Sequence, residues 1–251
     1  MISENELKRL TRLRQKKYRH QEKQFLVEGA RLVEEALAAK AVEALLYIPD
    51  ALPSDRIAIL LTAAKKINVP IKVIDKKSLK RLTETVTQQG VLAVVRIPEN
   101  MDFASLEGNW LYLDQIRNPG NLGTILRTAD WFGMTNVALS PATADLYNPK
   151  VVRGGMGAHF HLIIHREATL APFESADYII LAADISGEPI NRIPSPLEGN
   201  WCLVMGSEAF GISEENKPHV DQYISIPGSG TAESLNVAVA TGILLNQLTG
   251  R

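Results

Sequence analysis

Short apolar runs alternate along this chain with longer segments in which apolar residues recur every three or four positions. The short runs predict buried strands, and the longer segments predict amphipathic helices. Up to about residue 98, the pattern predicts strands at 25–27, 42–48, 71–74 and 91–97 and helices at 4–19, 29–39, 55–67 and 77–82. This order is typical of a small three-layer α/β domain of about four strands.

The second part of the chain follows a polar segment without clear periodicity, 99–108, which we interpret as a linker. Strands are predicted at 109–113, 137–139, 160–164, 178–183, 203–205 and 223–226, with helices from about 121, 149, 170 and 234. The alternation predicts a mostly parallel sheet. Residues 237–245 are small and apolar, so the last helix is predicted to be buried nearly all round. The expected division is therefore domains at 1–98 and 109–251.

Three strands of the second part run into glycine-containing loops that lead to helices. The first stretch, LYLDQIRNPGNLGTILRTADWFG at 111–133, contains an N-x-G-x-x-x-R pattern that ends one helical turn after its glycine. The second is WCLVMGSEAFGIS at 201–213, and the third is IPGSGTAESLNVAVATGILLN at 226–246. Glycines let a ligand approach the main chain closely, and helix N-termini offer unpaired N–H groups. In open α/β sheets, ligands bind where such loops cluster.

The three stretches, in this order, resemble the three motifs of the SpoU/TrmH class of SPOUT RNA 2′-O-methyltransferases. The resemblance covers roughly residues 107–251 and ends in Ser234-Leu235-Asn236-Val237. It implies transfer of a methyl group from S-adenosylmethionine to a ribose 2′-hydroxyl, with no metal, by a homodimer. It also implies a trefoil knot that threads the C-terminal helix. More loosely, the run 25–29 and its helix are similar to the RNA substrate-binding domain attached to many members.

The resemblance also implies which residues bind the methyl donor. Main-chain groups at Gly206, Ile226 and Leu235 are expected to hold the adenosine part, with Gly211 in the same group. Leu203, Ile226 and Leu235 are expected to supply a flat apolar surface for adenine. The alternative is that Ile226 and Leu235 are ordinary core residues.

Arg127 is the main catalytic candidate, because the corresponding arginine of the family is held to help deprotonate the 2′-hydroxyl. Guanidinium binds its proton tightly and carries a fork of donors suited to phosphate, so its chemistry favours a phosphate clamp. The alternative is a salt bridge to Asp130, three residues on. Glu208 is expected to orient Arg127 or a ribose hydroxyl, or else to be a solvated loop carboxylate.

Three further polar residues complete the expected site. Asn121 is expected to cap the first-motif helix, Ser234 is a candidate N-cap of the last helix, and Asn236 offers a donor and an acceptor to a ribose or to Arg127. Two positions depart from the family pattern. Gly228 stands where the family often has Met, and Ala238 stands where Ser is common.

Charge is unevenly distributed, although the net charge is only −1. Residues 8–23 contain eight Lys or Arg against one Glu, and residues 65–81 contain seven against one Asp. Such clusters favour a basic face for a polyanion such as RNA, and they fit ribosomal and transfer RNA equally. Of the two, ribosomal RNA is the preferred substrate. The alternative is that these are merely solvated helices.

The remaining composition bears on compartment and metal. A single cysteine, Cys202, excludes an intramolecular disulfide, and no apolar run has the length of a membrane span. The N-terminal residues are charged and lack the apolar core of a signal peptide. A cytoplasmic protein is therefore expected. The five histidines lack metal-ligand spacing, and His159 and His161 are expected on one face of a strand.

Three function classes were compared on these residues. The first is the RNA methyltransferase, which we prefer. The second is a non-catalytic RNA-binding protein with a pocket of the S-adenosylmethionine type, which the presence of all four polar motif residues (Asn121, Arg127, Glu208, Asn236) disfavours. The third is a nicotinamide-dependent enzyme, which the absence of G-x-G-x-x-G after an early strand disfavours.

Overall fold

The computed structural model describes residues 2–49, 51, 54–85, 88–100 and 106–250. Within them the strands are β1 (Gln24–Glu28), β2 (Val42–Tyr47), β3 (Ile71–Val73), β4 (Val91–Arg96), β5 (Trp110–Leu113), β6 (Asn136–Leu139), β7 (Ile163–Arg166), β8 (Ile179–Pro189), β9 (Trp201–Met205) and β10 (Gln222–Ser225). The helices are α1 (Glu4–Arg12), α2 (Lys16–Glu22), α3 (Ala30–Ala38), α4 (Ser54–Lys66), α5 (Lys76–Leu82), α6 (Pro119–Trp131), α7 (Pro149–Gly155), α8 (Ala171–Ser175) and α9 (Val237–Thr249).

Packing divides the chain into two compact units. The first unit comprises Met1–Glu99 together with Asp145–Phe160, and the second comprises Asn100–Ala144 together with His161–Arg251. The segment that carries α7 thus packs with the first unit, although it lies in the second half of the sequence. Of the expected linker at 99–108, residues 101–105 lie outside the described part of the chain.

The first unit is built on a four-stranded sheet in the order β1-β4-β2-β3. β4 runs antiparallel to both of its neighbours, and β2 and β3 are parallel. Apolar residues of α1 and α5 form one core with β2 and β4, while α3 packs against β1, β4 and α4. The predicted α/β layering with four strands is confirmed.

The single basic helix predicted over 4–19 is wrong, because the structure has two helices there. α1 ends at Arg12, and α2 begins at Lys16. The break leaves backbone carbonyls without helical partners, and the Arg19 guanidinium donates to the Leu13 carbonyl oxygen at 2.8 Å. Periodicity of charge alone does not reveal such a break, because both helices are basic.

Arg19 also forms a buried ion pair that joins α2 to the segment before α7. Its Nε donates to Asp145 Oδ2 at 3.1 Å, and its terminal nitrogen donates to the same oxygen. The side chains of Arg19 and Asp145 are 3% and 10% exposed. Removal of one partner would leave a buried charge without compensation, which typically costs about 3–5 kcal/mol.

The strand predicted at 160–164 begins later, at Ile163. Met156 and Gly157 both have positive φ, at 49° and 109°, and turn the chain into a 3-10 turn over Ala158–Phe160. His159 lies in this turn, where its Nε2 donates to the Leu146 carbonyl oxygen at 2.9 Å and burial lowers its pKa to about 4. His159 and His161 therefore do not share a strand face, and that prediction is wrong.

The second unit contains a six-stranded sheet in the order β10-β8-β9-β5-β6-β7. Every neighbouring pair is parallel, which confirms the predicted parallel sheet. The central strands β5 and β9 are entirely buried. Because the strands are parallel, their carboxyl ends lie at one edge, and the three glycine-containing turns start from that edge.

The last helix, α9, is not buried nearly all round, so that prediction is wrong. It packs along α6, where a Cβ added to Gly242 would lie 3.4 Å from Thr128 Cγ2. Its opposite side is exposed, with Val239 and Ile243 at 53% and 39%. Among the described helices, none combines the length and apolarity needed to cross a membrane.

Candidate active site

The first turn of the site connects β5 to α6. Asn118 caps α6, because its side chain accepts a hydrogen bond from the Gly120 N–H at 2.8 Å, and Pro119 occupies the first helical turn. Proline suits that position because its missing N–H would be unpaired there. The expectation that Asn121 caps this helix is therefore wrong. Asn121 lies inside the first turn, which frees its amide for other partners.

Asn121 joins all three turns through its side-chain amide. Its Nδ2 donates to Oε1 of Glu208 in the second turn. Its Oδ1 accepts from Nδ2 of Asn236 in the third turn at 3.1 Å. Asn236 Oδ1 in turn accepts from the Ala238 N–H at 3.0 Å, so Asn236 is the N-cap of α9. Ser234 is not the cap, and it lies exposed in the loop before the helix.

The second turn is held closed by its own backbone. Ser207 and Gly211 exchange N–H···O hydrogen bonds of 3.0 and 2.9 Å. A Cβ on Gly206 would lie only 2.3 Å from the Gly211 carbonyl carbon, so a larger residue at 206 would displace the turn. Gly211 has φ of +66°, which glycine adopts without strain. The closed turn fixes the position of Glu208 at its tip.

Asp114, which the sequence analysis did not single out, anchors the end of the second turn. It follows β5 directly, is 1% exposed, and accepts a hydrogen bond from the Ser213 N–H on its Oδ2 at 2.7 Å. Its other oxygen is buried and has no hydrogen-bond partner among the described residues. Its sequence signal, which was overlooked, is an acidic residue placed directly after an apolar strand in the first motif.

The third turn presents apolar side chains to its surroundings. Leu235 is 49% exposed and Ile226 is half-buried, so neither is the ordinary core residue of the alternative interpretation. A Cβ added at Gly228 or Gly230 would meet nothing within 4 Å, so there is room beside the main chain. Leu203, by contrast, is fully buried in β9, and its side chain has no exposed surface to offer a ligand.

Arg127 is exposed on α6 and forms no ion pair with the described residues. Asp130 instead accepts from His161 Nδ1 at 3.0 Å, so the alternative of an Arg127–Asp130 salt bridge is wrong. Six residues separate Arg127 from Asn121, which corresponds to about 9 Å along the helix and about 120° around it. The structure therefore brings Asn121, Glu208 and Asn236 together and places Arg127 on another side of α6.

Comparisons with known proteins agree with this geometry. Residues 108–246, more than half of the chain, match the SpoU rRNA Methylase family. The chain belongs to this family. Residues 4–93 also match the MRM3-like substrate binding domain. The SpoU match spans all three turns and α6, and the second match spans α1 to α5, β1 to β3 and the first half of β4.

Two curated SpoU relatives are similar over nearly the whole chain. The 23S rRNA (guanosine(2553)-2′-O)-methyltransferase RlmP of Bacillus subtilis is 31% identical, over 95% of this chain and 94% of that protein. The human mitochondrial rRNA methyltransferase 3 is 32% identical, over 96% of this chain and 72% of that protein.

Two solved structures are similar to nearly the whole chain. A TrmH-family structure from Porphyromonas gingivalis superposes with a TM-score of 0.87 at 35% identity, over 99% of this chain and 98% of that one. The AdoMet-bound rRNA methyltransferase from Sinorhizobium meliloti has a TM-score of 0.85 at 26% identity, over 99% and 95%. AdoMet denotes S-adenosylmethionine.

Proposed function

We propose that this SpoU-family protein is an enzyme that methylates a ribose 2′-hydroxyl of 23S ribosomal RNA, with S-adenosylmethionine as donor. The observation that carries the proposal is the chain of hydrogen bonds from Glu208 through Asn121 to Asn236. These hydrogen bonds join the three motif turns, which all start from one edge of a parallel sheet. The two-unit similarity to the B. subtilis enzyme, which is named for 23S rRNA, supports the choice of substrate.

The donor is proposed to lie against the second and third turns. Backbone groups at Gly206, Gly211, Ile226 and Leu235 would hold its adenosine part, and the half-exposed Leu235 and Ile226 would cover the adenine ring. Leu203, which is fully buried in β9, is proposed to support the site by packing and not to contact the donor. A bound donor supplies a methyl group that is already activated by a sulfonium.

The acceptor ribose is proposed to be positioned by charged and polar side chains. Arg127 clamps the phosphate next to the target ribose, because its forked donors match phosphate oxygens. Glu208 and Ser234, both exposed in the turns, contact the ribose hydroxyls. Alignment of reacting groups is worth up to ~7–11 kcal/mol of barrier, whereas a proton-transfer group typically contributes ~10²–10⁴-fold. Positioning by Arg127 is therefore the larger contribution.

We propose that the active protein is a homodimer in which Arg127 serves the site of a second copy. Trp131 is 83% exposed one turn after Arg127, and Val239 and Ile243 form an exposed apolar stripe on the adjacent α9. Exposed apolar patches of this kind are typical of self-association surfaces. The position of Arg127, away from Asn121 on the same helix, is consistent with action across the interface.

Sedimentation velocity tests the dimer. Ile243→Glu is expected to give a monomer, and Ile59→Glu, at an exposed isoleucine of the first unit, is expected to leave the dimer intact. A mixture of Arg127→Ala and Asn236→Ala proteins tests the crossed site, because one of the two sites in each mixed dimer has both residues intact. Methylation that stays at the level of the separate variants would contradict it.

Three further assignments are part of the proposal. Residues 1–98 bind RNA, 99–108 link, and 109–251 form the methyltransferase domain; the two family matches support this division. The trefoil knot is proposed from the chain's membership of the SpoU family. A cytoplasmic location follows from the proposed substrate, and cell fractionation tests it.

Methyl transfer from tritiated S-adenosylmethionine to 23S, 16S and transfer RNA tests the function directly. The expected product is tritium in 23S rRNA within dinucleotides that resist alkaline hydrolysis, because a 2′-O-methyl group blocks cleavage. Label in bases, or in transfer RNA alone, would contradict the assignment. Donor binding without transfer to any of the three RNAs would favour the non-catalytic alternative.

A further inference from the structure

The two basic runs of the first unit contain fifteen Lys or Arg, and five of these form ion pairs with acidic residues in the described part of the chain. These cations pair with acidic residues of neighbouring elements, so their charge is compensated within the unit. The pairs are Arg9–Glu22, Arg14–Glu84, Arg19–Asp145, Lys72–Glu6 and Arg81–Glu4. The basic surface that remains for a ligand is therefore smaller than the sequence indicates, and it can be located.

α1 carries part of that remaining surface on its solvent side. Glu4, Lys8 and Arg12 are all exposed and follow one another at four-residue spacing, opposite the buried Leu7 and Leu10. Glu4 is already engaged by Arg81 of α5, with oxygen–nitrogen distances of 3.0 and 3.2 Å. The charges that remain along this stripe are those of Lys8 and Arg12.

α5 carries further positive charge next to this surface. The pKa of Glu4 is lowered first by its hydrogen bond to Arg81 and then by the nearby charges of Lys8 and Lys77. α5, which carries Lys77, packs against α1. The acidic residues around this region, Glu4 and Glu6 on α1, are occupied by cations of α5 and β3.

Lys17 of α2 is a further cation near the stripe, because it and Arg12 both contact the ring of Tyr18. The Arg12 guanidinium lies 5.4 Å from the centre of the Tyr18 ring, and Lys17 Nζ lies 5.9 Å from it. Both distances are within the range of cation–π attraction, so the ring restrains two otherwise flexible side chains. We define Lys8, Arg12, Lys17 and Tyr18 as the α1–α2 patch.

We propose that the α1–α2 patch is the surface of the first unit that binds the phosphate backbone of the substrate RNA. The partner is inferred from charge complementarity, since three neighbouring cations lack acidic partners in the described chain and two are held in place by an aromatic ring. Lys and Arg contacts to phosphates supply affinity without sequence readout. This proposal rests on the proposed function for the identity of the RNA.

Two double variants with the same charge change test the patch. Arg12→Gln with Lys17→Gln removes two patch cations, and Lys65→Gln with Lys66→Gln removes two exposed cations of α4, which packs with α3 elsewhere in the unit. Binding to a 23S rRNA transcript is measured across salt concentrations. The patch variant is expected to flatten the slope of log affinity against log salt by about 1.5–2. The α4 variant is expected to keep the parental slope.

Substitutions of Tyr18 and the kinetic parameters separate binding from a general structural effect. Tyr18→Leu is expected to weaken RNA binding, and Tyr18→Phe, which keeps the ring, is expected to restore it. In methylation assays the loss should fall on the KM for RNA, while the affinity for S-adenosylmethionine, measured by calorimetry, stays at the parental value.

The outcomes also separate this proposal from the proposed function. Equal slopes for both double variants would overturn the patch, even if the protein methylates 23S rRNA. A flattened slope confined to the patch variant would support it, even if no methyl transfer is found. Loss of donor affinity in the patch variant would also overturn it, because the effect would then reach beyond RNA binding.

Discussion

In the first unit, ion pairs link several helices and loops to their neighbours around an apolar core, whereas the turns at the candidate site of the second unit are joined mainly by amides and backbone groups. Five such pairs among the described residues connect α1, α2, α5 and the α7 segment to their neighbours. At the site, Asn121 and Asn236 provide the links, and Glu208 is the one carboxylate among them. Amide hydrogen bonds require short distances and narrow angles, so they fix the three turns more tightly than exposed charge pairs would.

The difference shows how far a count of charged residues reports on a binding surface. In the first unit, a third of the cations in the basic runs are used internally, so the formal charge overstates what is available to RNA. In the second unit, neutral Asn residues and glycine turns define the site although they add nothing to the charge count. Substitutions in each unit sharpen this contrast.

The largest expected effect concerns the buried ion pair of the first unit. Asp145→Ala leaves Arg19 buried without its carboxylate, so the free energy of unfolding should fall by about 3–5 kcal/mol. Glu84→Ala breaks the Arg14–Glu84 pair, whose side chains are 37% and 42% exposed, and should cost less than about 1 kcal/mol. Urea denaturation of both variants provides the comparison. Similar losses would show that burial does not distinguish the pairs.

The next effect concerns Arg127, the proposed phosphate clamp of the second unit. Arg127→Ala should lower kcat for methyl transfer by about 10²-fold or more, because the acceptor ribose loses its clamp. Arg192→Ala, at another exposed arginine of the same unit, should change kcat little. Donor affinity should be retained in both variants. Full activity in Arg127→Ala would remove its assigned role.

Asp114 is expected to have a smaller effect on both stability and donor binding. Asp114→Ala leaves the Ser213 N–H without its acceptor, which should cost about 1–3 kcal/mol and loosen the turn that carries Glu208. Asp114→Asn keeps an oxygen for that hydrogen bond and should recover most of the loss. Calorimetry of donor binding and urea denaturation measure the two consequences. A defect of equal size in Asn and Ala would point to the negative charge rather than to the hydrogen bond.

The smallest effect is expected at the helix caps. Asn236→Ala and Asn148→Ala each remove a side-chain cap, of α9 and α7 respectively, and each should cost about 1 kcal/mol of stability. Only Asn236 also contacts Asn121, so only its loss should weaken donor binding. Equal donor affinity in the two variants would show that the amide network is unnecessary for the site.

Much of the fold was predictable because the apolar runs are distinct. β1 to β6, β8 and β10 begin within one residue of the predicted positions, because the apolar runs are bounded by polar residues, Pro or Gly. The break between α1 and α2 was not predictable, because the Arg19 side chain that uses the freed Leu13 carbonyl is held by Asp145, distant in sequence. Likewise, which side of α9 is exposed depends on the side that α6 covers, and the uniformly apolar sequence of α9 does not show this.

The proximity of three polar motif residues was predictable, but the hydrogen bonds and caps that they form were less so. The motif spacing indicated that Asn121, Glu208 and Asn236 belong to one site, and the hydrogen bonds join them. The caps were assigned to the wrong residues because two capping side chains lie close together at each helix start, Asn118 and Asn121 at α6 and Ser234 and Asn236 at α9. Asp114 was missed because its role depends on a backbone N–H ninety-nine residues away.

Hydrogen–deuterium exchange with and without S-adenosylmethionine tests most directly whether the three turns form one donor site. Saturating donor should slow exchange of backbone amides at 206–211 and 226–236 together, with a smaller effect in the first turn of α6, and Arg127→Ala should show the same protection. Protection confined to one turn, or located away from all three, would contradict the account.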